Sequence, residues 1–134
     1  MPEWVYRGVP VRPEDVESRC GFVYLITNLL SGKRYIGKKL LTKAKTRMVK
    51  KRKKRSRVES DWATYCGSSA DLLADVALLG AENFKREILR FCSSKAELSY
   101  HEAAEQFSRG VLLSEDYYNK WISCKIRKTS QLRS

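Results

Sequence analysis

Two tyrosines, Tyr24 and Tyr35, stand eleven residues apart, on either side of a turn-rich stretch and just ahead of the most basic part of the chain. A phenol ionises near pH 10, and only nearby cations would bring that value down toward neutrality. The neighbouring basic residues have the right sign, and they are expected to lower both phenols. Other chemistry is pruned. A single histidine, His101, removes any mechanism that needs two, and no nucleophile-elbow sequence accompanies it for a serine hydrolase. Cys20, Cys66, Cys92 and Cys124 form no CxxC pair, so they read as small buried or half-buried thiols rather than as a zinc site.

Charge is concentrated. Lys and Arg number 27 against 15 Asp and Glu, a net charge of +12. Between Lys33 and Arg57 there are 14 basic residues and no acid; the rest of the chain balances at −2. The densest part runs Lys50, Lys51, Arg52, Lys53, Lys54, Arg55, with Arg57 just beyond. Such a run repels itself and resists burial, so it is either solvated or matched to a polyanion, and a phosphate backbone is the favoured partner. A membrane surface would ask for a Trp/Phe/Leu face, which the segment lacks. There is no apolar run of about 18 residues for a membrane-spanning helix. The first residues carry acids and prolines where a signal peptide needs an apolar stretch, so the expected compartment is the cytoplasm.

The 134 residues, 43% of them hydrophobic, suit one domain with a real core. Residues 1–19, with Pro2, Pro10 and Pro13, read as an irregular arm. Residues 21–28 are rich in β-branched and aromatic types and read as a strand. Turn formers follow, then a return strand over 33–38, which would bring Tyr24 and Tyr35 roughly opposite each other. The basic insert, 38–58, is expected to be a loop, or partly helical on a partner. Leu72, Leu73, Val76 and Leu79 recur at helical spacing behind Ser68 or Ser69 as N-cap and ahead of Gly80. A third strand reads over 83–92. A capping box at Ser94 and Glu97 opens a second helix to about Arg109, with an apolar face of Ala96, Tyr100, Ala103, Ala104 and Phe107. Residues 117–122 read as a short packed element and 123–134 as a tail. The fold class is α/β or α+β: a small three-stranded sheet flanked by helices.

Gly21-Phe22-Val23-Tyr24 on the first strand and Tyr35-Ile36-Gly37 on the second, followed by Tyr65-Cys66-Gly67-Ser68 and Asn83-Phe84 to Leu89, resemble the signature of the GIY-YIG nuclease superfamily, in particular its small phage-borne and homing-type members. The second half of the signature matches literally; the first departs by an inserted residue. The resemblance spans about residues 20–122. It implies an antiparallel sheet flanked by helices in a single domain, and metal-dependent hydrolysis of DNA phosphodiester bonds in a bacterial or phage-infected cell. It implies Tyr24 or Tyr35 at the attacking water and Glu102 as ligand of Mg²⁺ or Mn²⁺. It also implies a cation on the phosphate, for which Arg47 fits loosely and Lys38, Lys39 and Arg52 compete. Gly37 and Asn119 fall in supporting positions. Ser68 and the basic insert would contact DNA. No small-molecule cofactor is expected, and the enzyme would act as a monomer or a transient dimer on DNA.

A rival reading keeps the fold as a DNA- or RNA-binding module without catalysis. Either way phosphate contacts dominate. Neutralising roughly 6–10 phosphates would cost about 10³–10⁵ in affinity between 50 and 200 mM salt. Fluorescence anisotropy on duplex DNA is expected to show that steep dependence; a flat salt profile would contradict the assignment of the basic segment.

Overall fold

The computed structural model of the chain describes residues 1–123, 125–129 and 132, with the side chains of Lys45, Arg47 and Arg55 also outside the described residues. The apolar run Gly21–Asn28 forms the central strand β3, with β1 (Val5–Tyr6) and β2 (Val9–Pro10) preceding it in the chain. It is flanked antiparallel by β4 (Arg34–Leu40) and by a strand at Phe84–Cys92. All of β3 except Thr27 is buried, because cores lie on both of its faces, and its sequence is accordingly a continuous apolar run rather than an alternation. Phe22, Tyr24 and Ile26 face one core with Trp4, Trp62 and Leu72. Val23 and Leu25 face a second with Ile36, Leu98, Val111 and Tyr117.

The expected three antiparallel strands are therefore present, but the sheet is larger. β1 adds in parallel to Phe84–Cys92 and β2 pairs antiparallel with β1, giving a five-stranded mixed sheet in a small α+β domain. Residues 1–19, expected as an irregular arm, thus belong in part to the sheet. Trp4 is 2% exposed, meets Phe22 and Tyr24 edge-on, and donates from Nε1 to the Trp62 carbonyl at 2.8 Å. The prolines misled because Pro10 sits on the outermost strand, where a missing N–H costs no ladder bond. Across the main hairpin Tyr24 pairs with Gly37 and Tyr35 with Ile26. The two tyrosines are thus diagonal neighbours on one face, not opposite each other, with ring centroids 6.1 Å apart.

The basic segment, expected as a loop or partner-ordered helix, is a hairpin of β5 (Thr42–Val49) and β6 (Arg52–Glu59) that pairs only with itself. Its turn residues Lys50 and Lys51 both have positive φ, 49° and 64°. Helix α1 (Ala70–Leu79) starts where expected, with Ser69 Oγ accepting from Leu72 N at 3.3 Å, and ends at Gly80. The strand Phe84–Cys92, labelled β7, leads into α2 (Lys95–Ser108), whose N-cap Ser94 accepts from Glu97 N at 3.1 Å. The packed face of α2 is rotated from the expected one. Glu97, Leu98, Ala103 and Gln106 are buried, while Tyr100 and Phe107 are 42% and 59% exposed. Polar residues on the inner face hid it from hydrophobic periodicity. Among the described residues no helix is long and apolar enough to cross a membrane.

Arg86, only 4% exposed, ties the N-terminal segment to the body. It donates to the carbonyls of Pro2, Ala63 and Tyr65 at 2.8–3.1 Å and lies 4.7 Å over the Trp4 ring. Burial lowers its pKa, yet the carbonyls occupy its fork. Removing the guanidinium would orphan several buried acceptors at about 1–3 kcal/mol each. Arg86→Met is expected to destabilise the domain by about 2–4 kcal/mol in urea unfolding, and Arg86→Lys to recover only part, because an ammonium cannot reproduce the planar fork. A loss below about 0.5 kcal/mol would contradict the clamp.

Candidate active site

Strand β4 is the last strand of the sheet, and its outer edge is sealed by the C-terminal segment instead of another strand. Tyr118 N donates to the Arg34 carbonyl at 2.7 Å, and Arg34 N donates to the Asp116 carbonyl at 2.8 Å. One step along, the Asn119 side chain takes over. Ile36 N donates to Asn119 Oδ1 at 3.1 Å, and the Ile36 carbonyl accepts from Asn119 Nδ2 at 2.8 Å and from Gln106 Nε2 at 3.1 Å. Side-chain amides thus satisfy a buried strand edge that would otherwise be orphaned.

Beside this edge opens a cleft of about 410 Å³. β4 supplies Tyr35 and Lys38, α2 supplies Glu102 and Gln106, and the start of α1 supplies Ser68 to Asp71. Asn119, Lys120 and Trp121 close the far wall. Tyr35 Oη lies 3.0 Å from Ser68 Oγ. Lys38 Nζ donates to Ser99 Oγ at 3.0 Å and stands 3.8 Å from Glu102 Oε1. The Glu102 side chain is 12% exposed, and burial raises its pKa despite Lys38. Among the described residues there is no cluster of three or more His, Cys, Asp or Glu suited to a metal.

Tyr24 does not line the cleft. It is fully buried directly behind Tyr35. Gly37 makes room for it: a Cβ there would collide with the Tyr24 hydroxyl and approach Tyr35 Cε2 to 3.0 Å. Burial pushes the Tyr24 phenol well up, helped by its hydrogen bond to Tyr65 and by the nearby Glu102 charge. Tyr35 is also raised, first by burial, with the Ser68 hydrogen bond opposing. The expectation that cations lower both phenols is therefore reversed. Burial is the first cause; in addition, ten of the fourteen cations between Lys33 and Arg57 are carried out on the hairpin, and the ionisable groups that act on the two phenols are tyrosines and Glu102.

The cations separate into groups. Lys38 is in the cleft. Lys39 is held elsewhere, 2.6 Å from Asp61 Oδ1 and 4.0 Å over the Tyr65 ring. Arg57 is folded back onto Thr42, with bonds of 2.7–3.0 Å. Lys50, Lys51, Arg52, Lys53 and Lys54 are exposed on the hairpin. The catalytic reading of Arg47 and the DNA-contact reading of Arg55 fall on side chains outside the described residues. Sequence reasoning missed Gln106, Asp71, Lys120 and the cleft position of Trp121. Gln106 alone left a signal, a polar residue one helical turn after Glu102. Lys120 reaches Asp71 at 2.9 Å.

An acid raised in the folded state binds protons more readily than the unfolded chain. Its stabilising contribution is present below the unfolded pKa and lost as pH rises through the folded one. Without metal, Glu102 therefore weakens the fold at neutral pH. Glu102→Gln is expected to raise the melting temperature of the metal-free protein at pH 7 and to narrow that gain at pH 4. An unchanged or lower value at both pH values would contradict the burial of a charged carboxylate here.

A family model described as "Putative endonuclease segE, GIY-YIG domain" matches residues 4–122. Comparison with curated proteins and with solved structures gives no match. The matched range includes Trp4 and β1, which the core also claims, and it ends just past Asn119 and Trp121 at the rim of the cleft. With nearly the whole folded body covered, the chain belongs to the SegE GIY-YIG endonuclease domain family.

Proposed function

We propose that the protein is a divalent-metal-dependent DNA endonuclease whose hydrolytic centre is the cleft at the edge of β4. The observation that carries this reading is that Tyr35, Lys38, Ser68 and Glu102, drawn from separate elements, line one open cleft. In this reading Tyr35 orients the attacking water as a neutral phenol, steered by Ser68. Its raised pKa suits a hydrogen-bonding role better than a phenolate one. Tyr24 is a positioning residue that fixes Tyr35 from behind. Lys38 supports the phosphate as a point charge, and Asn119 braces the strand that carries both.

Mg²⁺ or Mn²⁺ fits the donors present. Both ions prefer oxygen, Mg²⁺ takes few protein ligands, and the cleft offers the Glu102 carboxylate together with Gln106 Oε1, which is buried with no hydrogen-bond partner. Glu102 would hold the ion, which when bound stabilises charge on the leaving oxygen. A second reading, a DNA-binding module without catalysis, draws on the upward shift of both phenols.

Supercoiled plasmid with Mg²⁺ separates the two. Nicking is expected with the wild type, lost in EDTA and in Glu102→Ala, and slowed about 10²-fold in Tyr35→Phe, the scale of losing a group that orients the attacking water. Failure to nick with any of Mg²⁺, Mn²⁺ or Co²⁺ would favour the binding module.

A further inference from the structure

The hairpin β5–β6 is the largest feature that the cleft does not use. Its strands have eight residues each, about 26 Å at the usual rise. A lone two-stranded ribbon is marginal in water. This one has no apolar face to dock: Met48 is 64% exposed, and Val49 and Val58 are only half buried. Alternation along the register puts Lys43, Arg52 and Lys54 on one face and Lys53 and Arg57 on the other. Lys50 and Lys51 form the tip. Its one acid, Glu59, lies at the base and accepts from Trp62 Nε1 at 2.9 Å. A ribbon basic on both faces and at its tip complements a groove with phosphates on both walls rather than a flat anionic surface.

The tip adds a second observation. Two positive φ values in succession describe the turn that Asn-Gly favours. Two lysines occupy it instead, so charge is placed at the far end against local preference. Dimensions choose the groove. The B-DNA major groove, about 12 Å wide, admits a two-stranded ribbon, and the minor groove, about 6 Å wide, does not. The major groove of A-form RNA is too deep and narrow.

We infer that the β5–β6 ribbon inserts into the major groove of duplex DNA, with Lys50 and Lys51 on phosphates at its far end. This rests on the endonuclease reading for its choice of substrate, and it names how that substrate is gripped. The test uses the full chain carrying Glu102→Gln, so that binding is read without cleavage. The double substitution Lys50→Asn, Lys51→Gly suits the turn better while removing two charges, so unfolding of the ribbon cannot explain a loss. In anisotropy titrations the slope of log K against log salt is expected to become shallower by about 1.8, from two phosphates at 0.9 each. Methyl green, a major-groove ligand, is expected to compete, and guanine N7 to be protected from methylation. An unchanged slope, competition by netropsin instead, or equal competition by duplex RNA would overturn the inference. Nicking is read separately, on the chain with Glu102 intact: normal nicking there with an unchanged slope sinks the ribbon alone, and a changed slope with no nicking there sinks only the hydrolytic reading.

Discussion

One edge residue organises the site. A sheet that ends at β4 leaves a row of backbone groups that must be paired or wetted. At Ile36 they are met by the amides of Asn119 and Gln106, and at Arg34 by the backbone of residues 116 and 118. This choice has consequences on both sides. It anchors the end of the domain to its middle, and it fixes the inner face of α2 against β4, so that Glu102 and Gln106 overlook Tyr35 and Lys38. The next residue, Gly37, lacks the Cβ that would otherwise displace the Tyr24 hydroxyl. The two phenols therefore stack in depth, one in the core and one at the cleft.

Electrostatics follow from that depth. Burial, more than charge, sets the protonation of the site: it raises Tyr24, Tyr35 and Glu102 alike. A carboxylate kept partly dry at a strand edge works against folding, which is the usual relation between a prepared site and stability. The exposed cations lie elsewhere, on a ribbon that shares no strand pairing with the five-stranded sheet. Ribbon and cleft are thus built as separable parts, one dominated by exposed cations and the other by half-buried polar groups with few of them.

Much of the frame was legible in the sequence. The β3–β4 hairpin, α1 with its Ser69 cap, β7 and α2 with its Ser94 cap follow from local signals: a buried apolar run, N-cap residues and glycine stops. Tyr35, Glu102 and Asn119 were reached through the signature motif. What stayed hidden was long-range. Parallel addition of β1 to β7 depends on Trp4 and Arg86 meeting across more than eighty residues. The inner face of α2 carries Glu97 and Gln106, which hydrophobic periodicity assigns to solvent. The ribbon was masked because self-repelling lysines argue against any fixed structure when read alone. The upward shift of both phenols is not legible in the sequence because it comes first from burial, which position next to a basic run does not reveal.

The cleft beside Ile36 is the proposed meeting place of a divalent ion and the scissile phosphate. Paramagnetic relaxation by Mn²⁺ in backbone-resolved NMR of the full chain reads that location without requiring turnover. Broadening centred on Glu102 and Gln106, spreading to Tyr35 and Asn119 and abolished by Glu102→Gln, is the predicted result. Broadening that leaves those amides sharp, or that survives the substitution, would contradict it.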